Sequence, residues 1–126
     1  EKGYGGFSTR IRLAEDTRFT SSAGMVKPDT YPVKAYGWLD ISGSVGQGGA
    51  LAGLSILSHP QNPGFPNPWI LRSARSMQNA VFPHPGAKAV ALSETQATVL
   101  RYRLLVHRGD PQALDMEAIY DDYSKH

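Results

Sequence analysis

An all-β, mainly antiparallel sandwich closed by one C-terminal helix is the fold class this sequence predicts. Three observations carry it. Apolar and polar residues alternate along several short segments, Gly/Pro/Ser clusters separate those segments, and a helical period enters only after Asp110. No helices alternate with the strands, which argues against a parallel α/β sheet. At 126 residues, 40% hydrophobic and 19% charged, the chain has the composition of an ordinary globular domain, read as one unit over 1–126.

The elements follow in order. Residues 7–13 place Phe7, Thr9, Ile11 and Leu13 on one face and Ser8, Arg10 and Arg12 on the other, the pattern of a half-buried strand. Gly3, Gly5 and Gly6 before it fit a bulged strand start. Residues 17–20 are β-prone and short, and Pro28 and Pro32 punctuate a loop over 21–32. A strand is expected over 33–42, a Gly/Ser turn over 42–49 and a further strand over 50–58. Prolines at 60, 63, 66 and 68 force residues 59–68 into a loop, because they remove backbone donors and helical dihedrals. Residues 69–72 leave it as a strand, and 82–86 are again irregular. Residues 98–107 form the clearest strand, with Leu100, Tyr102, Leu104 and Val106 opposite Arg101 and Arg103. Asp110 followed by Pro111 marks an N-cap and first helical position, and Leu114, Ala118, Ile119 and Tyr123 fall on one side of a terminal helix of about 12–14 residues.

Composition excludes several function classes. Without cysteine there is no disulfide, thiolate catalysis or Cys-ligated zinc or iron–sulfur centre. The longest nearly apolar run, residues 49–57, is about half the roughly 18 residues of a membrane helix, so no membrane span is expected. Residues 1–20 combine neither a basic start, an apolar stretch nor a cleavage site. No compartment is assigned, and a periplasmic or extracellular parent protein stays open. The isoelectric point near 9.0 rests on a net charge of only +2, a weak argument for nucleic acid. Arg10, Arg12, Arg101 and Arg103 would form a basic stripe if their strands paired, but no aromatics interleave with them as base stacking requires, so no nucleic-acid partner is expected.

His59, His84, His107 and His126 show no metal-ligand spacing, so neither a metal nor another cofactor is expected. His59 and His84 each precede a proline in a loop, which leaves a meeting in three dimensions open. Within the proline loop Asn62, Asn67 and Trp69 offer amides beside an indole face, the chemistry that sugar hydroxyls and C–H faces require. The alternative is that the asparagines close turns and Trp69 fills the core. Tyr4, Trp38 and Phe65 share that ambiguity, with packing favoured for Trp38 by its strand. Asp121 and Asp122, near Glu117, are helix-surface carboxylates without a visible acid/base partner.

Three stretches together resemble the PmoA-like family of unknown function: residues 2–7 (KGYGGF), the loop 58–69 (SHPQNPGFPNPW), and residues 98–103 with 107–110. His59, Pro60, Asn62, Pro63, Pro66, Pro68 and Trp69 match the family's loop, whereas Ser58 stands in place of its aspartate and Ile70 in place of a further histidine. The resemblance implies a sandwich of the galactose-mutarotase-like supersandwich type and an association with bacterial carbohydrate metabolism. Family members also carry an N-terminal half with an Asp-His-Pro-His-His motif, which this sequence lacks, so the chain is read as the C-terminal part of a longer protein. On this reading a saccharide is bound or processed at a site lined by Tyr4, His59, Asn62, Asn67 and Trp69, with His59 the only candidate for a catalytic role and no reaction assigned. The alternative is a non-catalytic interaction or oligomerisation module, its exposed sheet edge meeting a second copy or the missing N-terminal half.

Overall fold

A computed structural model describes residues 5–12, 14–72, 77–83 and 90–126. Tyr4, Leu13 and His84 lie outside the described residues. The described chain forms β1 (Gly5–Thr9), β2 (Arg18–Ser21), β3 (Gly24–Met25), β4 (Trp38–Val45), β5 (Ala50–Ser58), β6 (Trp69–Leu71), β7 (Gln78–Phe82), β8 (Tyr102–Arg108) and α1 (Met116–Ser124). A short 3-10 turn, Pro111–Ala113, precedes α1. All strand pairs are antiparallel, in a three-stranded sheet ordered β1-β7-β6 and a five-stranded sheet ordered β3-β2-β4-β5-β8.

The strand period of two sorts the large sheet's side chains into two layers. Leu39 pairs with Ile56 and Ile41 with Leu54 on the inner face, where Leu39, Ile41, Ile56 and Phe19 pack against Trp69, Leu71 and Ala80 of the small sheet. Trp38 pairs with Leu57 on the outer face, where both pack against Met116 and Tyr123 of α1. The helix therefore covers the side of the large sheet that the small sheet does not. Full burial of each such large apolar side chain contributes roughly 1.5–3 kcal/mol, and these two clusters hold the layers together.

The structure corrects several boundaries. Val33 makes only an isolated bridge to Trp69, and the strand begins at Trp38 and runs through Ser42, Gly43 and Ser44 to Val45. The turn is residues 46–49, where Gly46 and Gly49 adopt φ of 68° and 63°, a region that costs other residues steric strain. β7, which the sequence left unassigned, pairs on both sides. The C-terminal helix is interrupted: the Asp110 side chain accepts from the Gln112 N–H to cap the 3-10 turn, and Asp115 accepts from the Ala118 N–H to cap α1. β1 ends at Thr9 and pairs with β7, not β8, so Arg10 and Arg12 form no stripe with Arg101 and Arg103.

Candidate functional site

The proline loop is fixed to the framework from within. Its exposed surface consists of Pro60, Gln61, Pro63, Gly64 and Pro66, whereas His59, Asn62, Asn67 and Trp69 are buried. The Asn62 amide donates to Ser58 Oγ (3.1 Å) and to the Arg101 carbonyl (2.8 Å), while its Oδ1 accepts from the Arg101 N–H (2.6 Å). Asn67 Nδ2 donates to the Pro63 carbonyl at 3.1 Å and so closes the loop on itself. Trp69 sits in the inter-sheet core and donates its indole N–H to the Tyr36 carbonyl at 3.3 Å. Tyr36, half exposed, holds φ at 54°, an uncommon left-handed conformation for a tyrosine.

His59, 1% exposed, accepts a hydrogen bond from the Gln61 N–H at Nδ1 (3.1 Å), so in the neutral ring the proton is on Nε2. That Nε2 has no hydrogen-bond partner among the described residues. The ring meets Tyr123 at 85° with centroids 5.2 Å apart, and the Arg103 guanidinium covers the Tyr123 ring at 4.6 Å. Desolvation, with a smaller contribution from the Arg101 charge, pushes the His59 pKa below its ordinary value. Tyr120 donates to the Ser58 carbonyl at 3.0 Å, and its pKa is pushed up to about 12, first by burial and then by Tyr123 and the nearby carboxylates. The loop thus joins β5, the start of β8 and α1.

A second polar cluster lies on the outer face of the large sheet. Asp40 on β4, Ser55 on β5 and His107 on β8 converge: Ser55 Oγ donates to Asp40 Oδ2 at 2.6 Å, and His107 Nε2 donates to the same oxygen at 2.7 Å. Asp40 and Ser55 are directly paired across β4 and β5. His107 is opposite Gly53, where a Cβ would approach the imidazole Nε2 to 2.5 Å, so the glycine is what lets the ring reach Asp40. Catalytic use of such residues places the histidine between hydroxyl and carboxylate, as base to the one and partner of the other. Here the carboxylate is in the middle, the hydroxyl has no base, and all three side chains are buried beneath Met116, whose Sδ is 3.8 Å from Ser55 Oγ. The arrangement is that of a structural anchor. The one trace of it in the sequence is a carboxylate between Leu39 and Ile41 in an apolar strand, which requires a buried partner. Among the described residues, no group of three or more His, Asp or Glu side chains is placed to hold a metal ion, and no helix is long and apolar enough to cross a membrane.

The third feature is apolar and open. Among the described residues the small sheet leaves one end of the large sheet's inner face uncovered, where Ile41, Val45, Leu54 and Val106, with Ile11 and Arg12 at the side, line a cavity of about 310 Å³. Val106, in that lining, is 79% exposed, and Leu104, two residues before it on the same face, 48%. Both project from β8, which among the described residues is hydrogen-bonded to β5 alone. Alternation along residues 98–107 identified these residues as one apolar face without revealing that the face is uncovered.

The family model that matches this chain covers residues 1–121 and describes a family of unknown function, DUF6807. No curated protein and no solved structure matches the chain.

Proposed function

We propose that this chain, which belongs to the DUF6807 family of unknown function, is a non-catalytic binding module that accepts an additional β-strand on the open side of its large sheet. One observation carries the reading: β8 is a seven-residue edge strand with Leu104 and Val106 exposed on one face beside an apolar cavity. Protein surfaces blunt sheet edges with short strands, prolines, bulges or charges; residues 102–108 are interrupted by no proline or bulge, and the charges they carry at Arg103 and Arg108 leave Leu104 and Val106 between them exposed. Strand addition satisfies such an edge: the backbone supplies affinity and alternate side chains supply selectivity.

The saccharide reading of the 59–69 loop receives less support. The polar atoms of His59, Asn62 and Asn67 point into the protein, and Trp69 is used by the core. Direct sugar contact through these side chains would require the loop to leave Arg101 and Tyr120. Selection of displayed short peptides against the whole chain tests the binding-module reading. Extended, alternately apolar peptides should be enriched, and the β8 amides should gain hydrogen-exchange protection when they bind. Enrichment that is the same on a folded Leu104→Lys/Val106→Lys variant overturns it.

A further inference from the structure

The charge around β8 narrows the partner. Arg101, Arg103 and Arg108 are all exposed, and among the described residues the ion pair made by this group is that of Arg103 with the exposed Asp122, at 3.8 Å. From Tyr102 to Arg108, the backbone groups have no partner among the described residues other than through the β5 pairing. Leu104 and Val106 share the inner face with Arg108, and Arg101 and Arg103 share the outer face with Leu105. The edge is therefore an apolar stripe with one cation, Arg108, at its end, and Arg101 and Arg103 on the opposite face.

We propose that the segment taken up by β8 is an extended strand of a separate partner that alternates apolar with acidic residues. The inference rests on the binding-module reading and adds the partner's chemistry. Its apolar positions would lie against Leu104 and Val106 and continue the lining of the adjoining cavity. Its carboxylates would face Arg101 and Arg103 on the outer side and Arg108 at the end of the inner row. A second copy of this chain fits less well. Antiparallel self-pairing centred on Leu105 places Leu104 opposite Val106, but it also sets Arg103 opposite His107 and gathers three arginines from each copy along one seam. Exposed ion pairs add little affinity in themselves, so the charge acts as a filter on which strands dock and makes docking salt-sensitive.

The test titrates the whole chain with two short peptides built on one alternating apolar skeleton, with Glu at the polar positions of one and Lys at those of the other. The Glu peptide should bind roughly tenfold or more tightly than the Lys peptide, and added salt should shrink the difference. Arg101→Glu/Arg108→Glu, which leaves the Arg103–Tyr123 contact in place, should reverse the preference. Leu104→Lys/Val106→Lys should abolish binding of the Glu peptide. Equal, salt-insensitive binding of both peptides overturns the acidic partner while leaving strand addition intact. Binding of neither removes the reading beneath it as well. Concentration-dependent dimerisation of the chain that Val106→Lys prevents would replace the separate partner with a second copy.

Discussion

Asn62 and Arg101 are joined at two points by a side chain that imitates a strand: the amide Nδ2 donates to the Arg101 carbonyl and Oδ1 accepts the Arg101 N–H, at 2.8 and 2.6 Å. The pairing begins where β8 is about to start, so the loop end of β5 and the first turn of the edge strand are locked in register. Asn62→Ala removes both bonds and the one to Ser58, and leaves the Arg101 N–H without its partner, while the Arg101 carbonyl keeps the His59 N–H at 3.2 Å. Its cost should be about 2–4 kcal/mol by chemical denaturation. Asn62→Asp keeps the acceptor but turns a second oxygen toward the Arg101 carbonyl, so it should recover little of that loss. A cost below about 0.5 kcal/mol for Asn62→Ala would show that the loop is not held by this bond.

His59 makes a pH-dependent contribution of fixed sign. Its pKa is lowered in the fold, by burial first and by Arg101 second, from an ordinary value of 6.5. Below 6.5 the unfolded chain therefore takes up the proton more readily than the folded one. The contribution is complete above 6.5 and is lost as pH falls through the depressed folded value. Stability measured between about pH 8 and pH 5 should fall more steeply for the wild type than for His59→Gln. Parallel pH profiles would mean that the imidazole is not held neutral by its surroundings.

Tyr36 carries strain that its neighbours impose. Its carbonyl accepts from the Trp69 indole, and at Gly37 an added Cβ would run into the Tyr120 ring, so the backbone passes between two fixed aromatic groups. A left-handed φ is tolerated by glycine and costs other residues roughly 1 kcal/mol. Tyr36→Gly should therefore leave stability unchanged or raise it by up to about 1 kcal/mol, since the half-exposed ring has little packing to lose. A loss of more than about 1 kcal/mol would assign the exposed ring a packing role that its accessibility does not suggest.

What the sequence made legible follows from what side-chain period can encode. Alternation located β8 and the Phe7 strand because it reports which residues share a face. It could not tell that the face bearing Leu104 and Val106 is open, since coverage depends on where another sheet ends. Gln78 and Asn79 concealed β7: both are buried, and two adjacent polar residues read locally as a loop. Asp110-Pro111 gave a true cap, but of a 3-10 turn, and the equally plain cap at Asp115 begins the helix proper. In the 59–69 loop the side chains were legible as hydrogen-bonding groups, whereas the partner of Asn62 lies 39 residues away and only the fold supplies it.

The Asp40–His107 bond is the one on which the outer layer of the large sheet should depend most. Asp40 accepts from both Ser55 and His107, so Asp40→Ala strands two buried donors at once and should cost about 3–5 kcal/mol. Gly53→Ala attacks the same bond without touching a polar group. The new methyl would stand 2.5 Å from His107 Nε2 and 2.9 Å from the Ile41 carbonyl, so the ring must move off Asp40. That should cost about 1–3 kcal/mol. In a background of Asp40→Leu/His107→Leu the Gly53→Ala penalty should change, because the bond that it disrupts is already absent. A double-mutant cycle between positions 40 and 107 should give a coupling of about 1–3 kcal/mol. Additive effects there would mean that the two side chains are neighbours without being partners, and the histidine would then be free for another role.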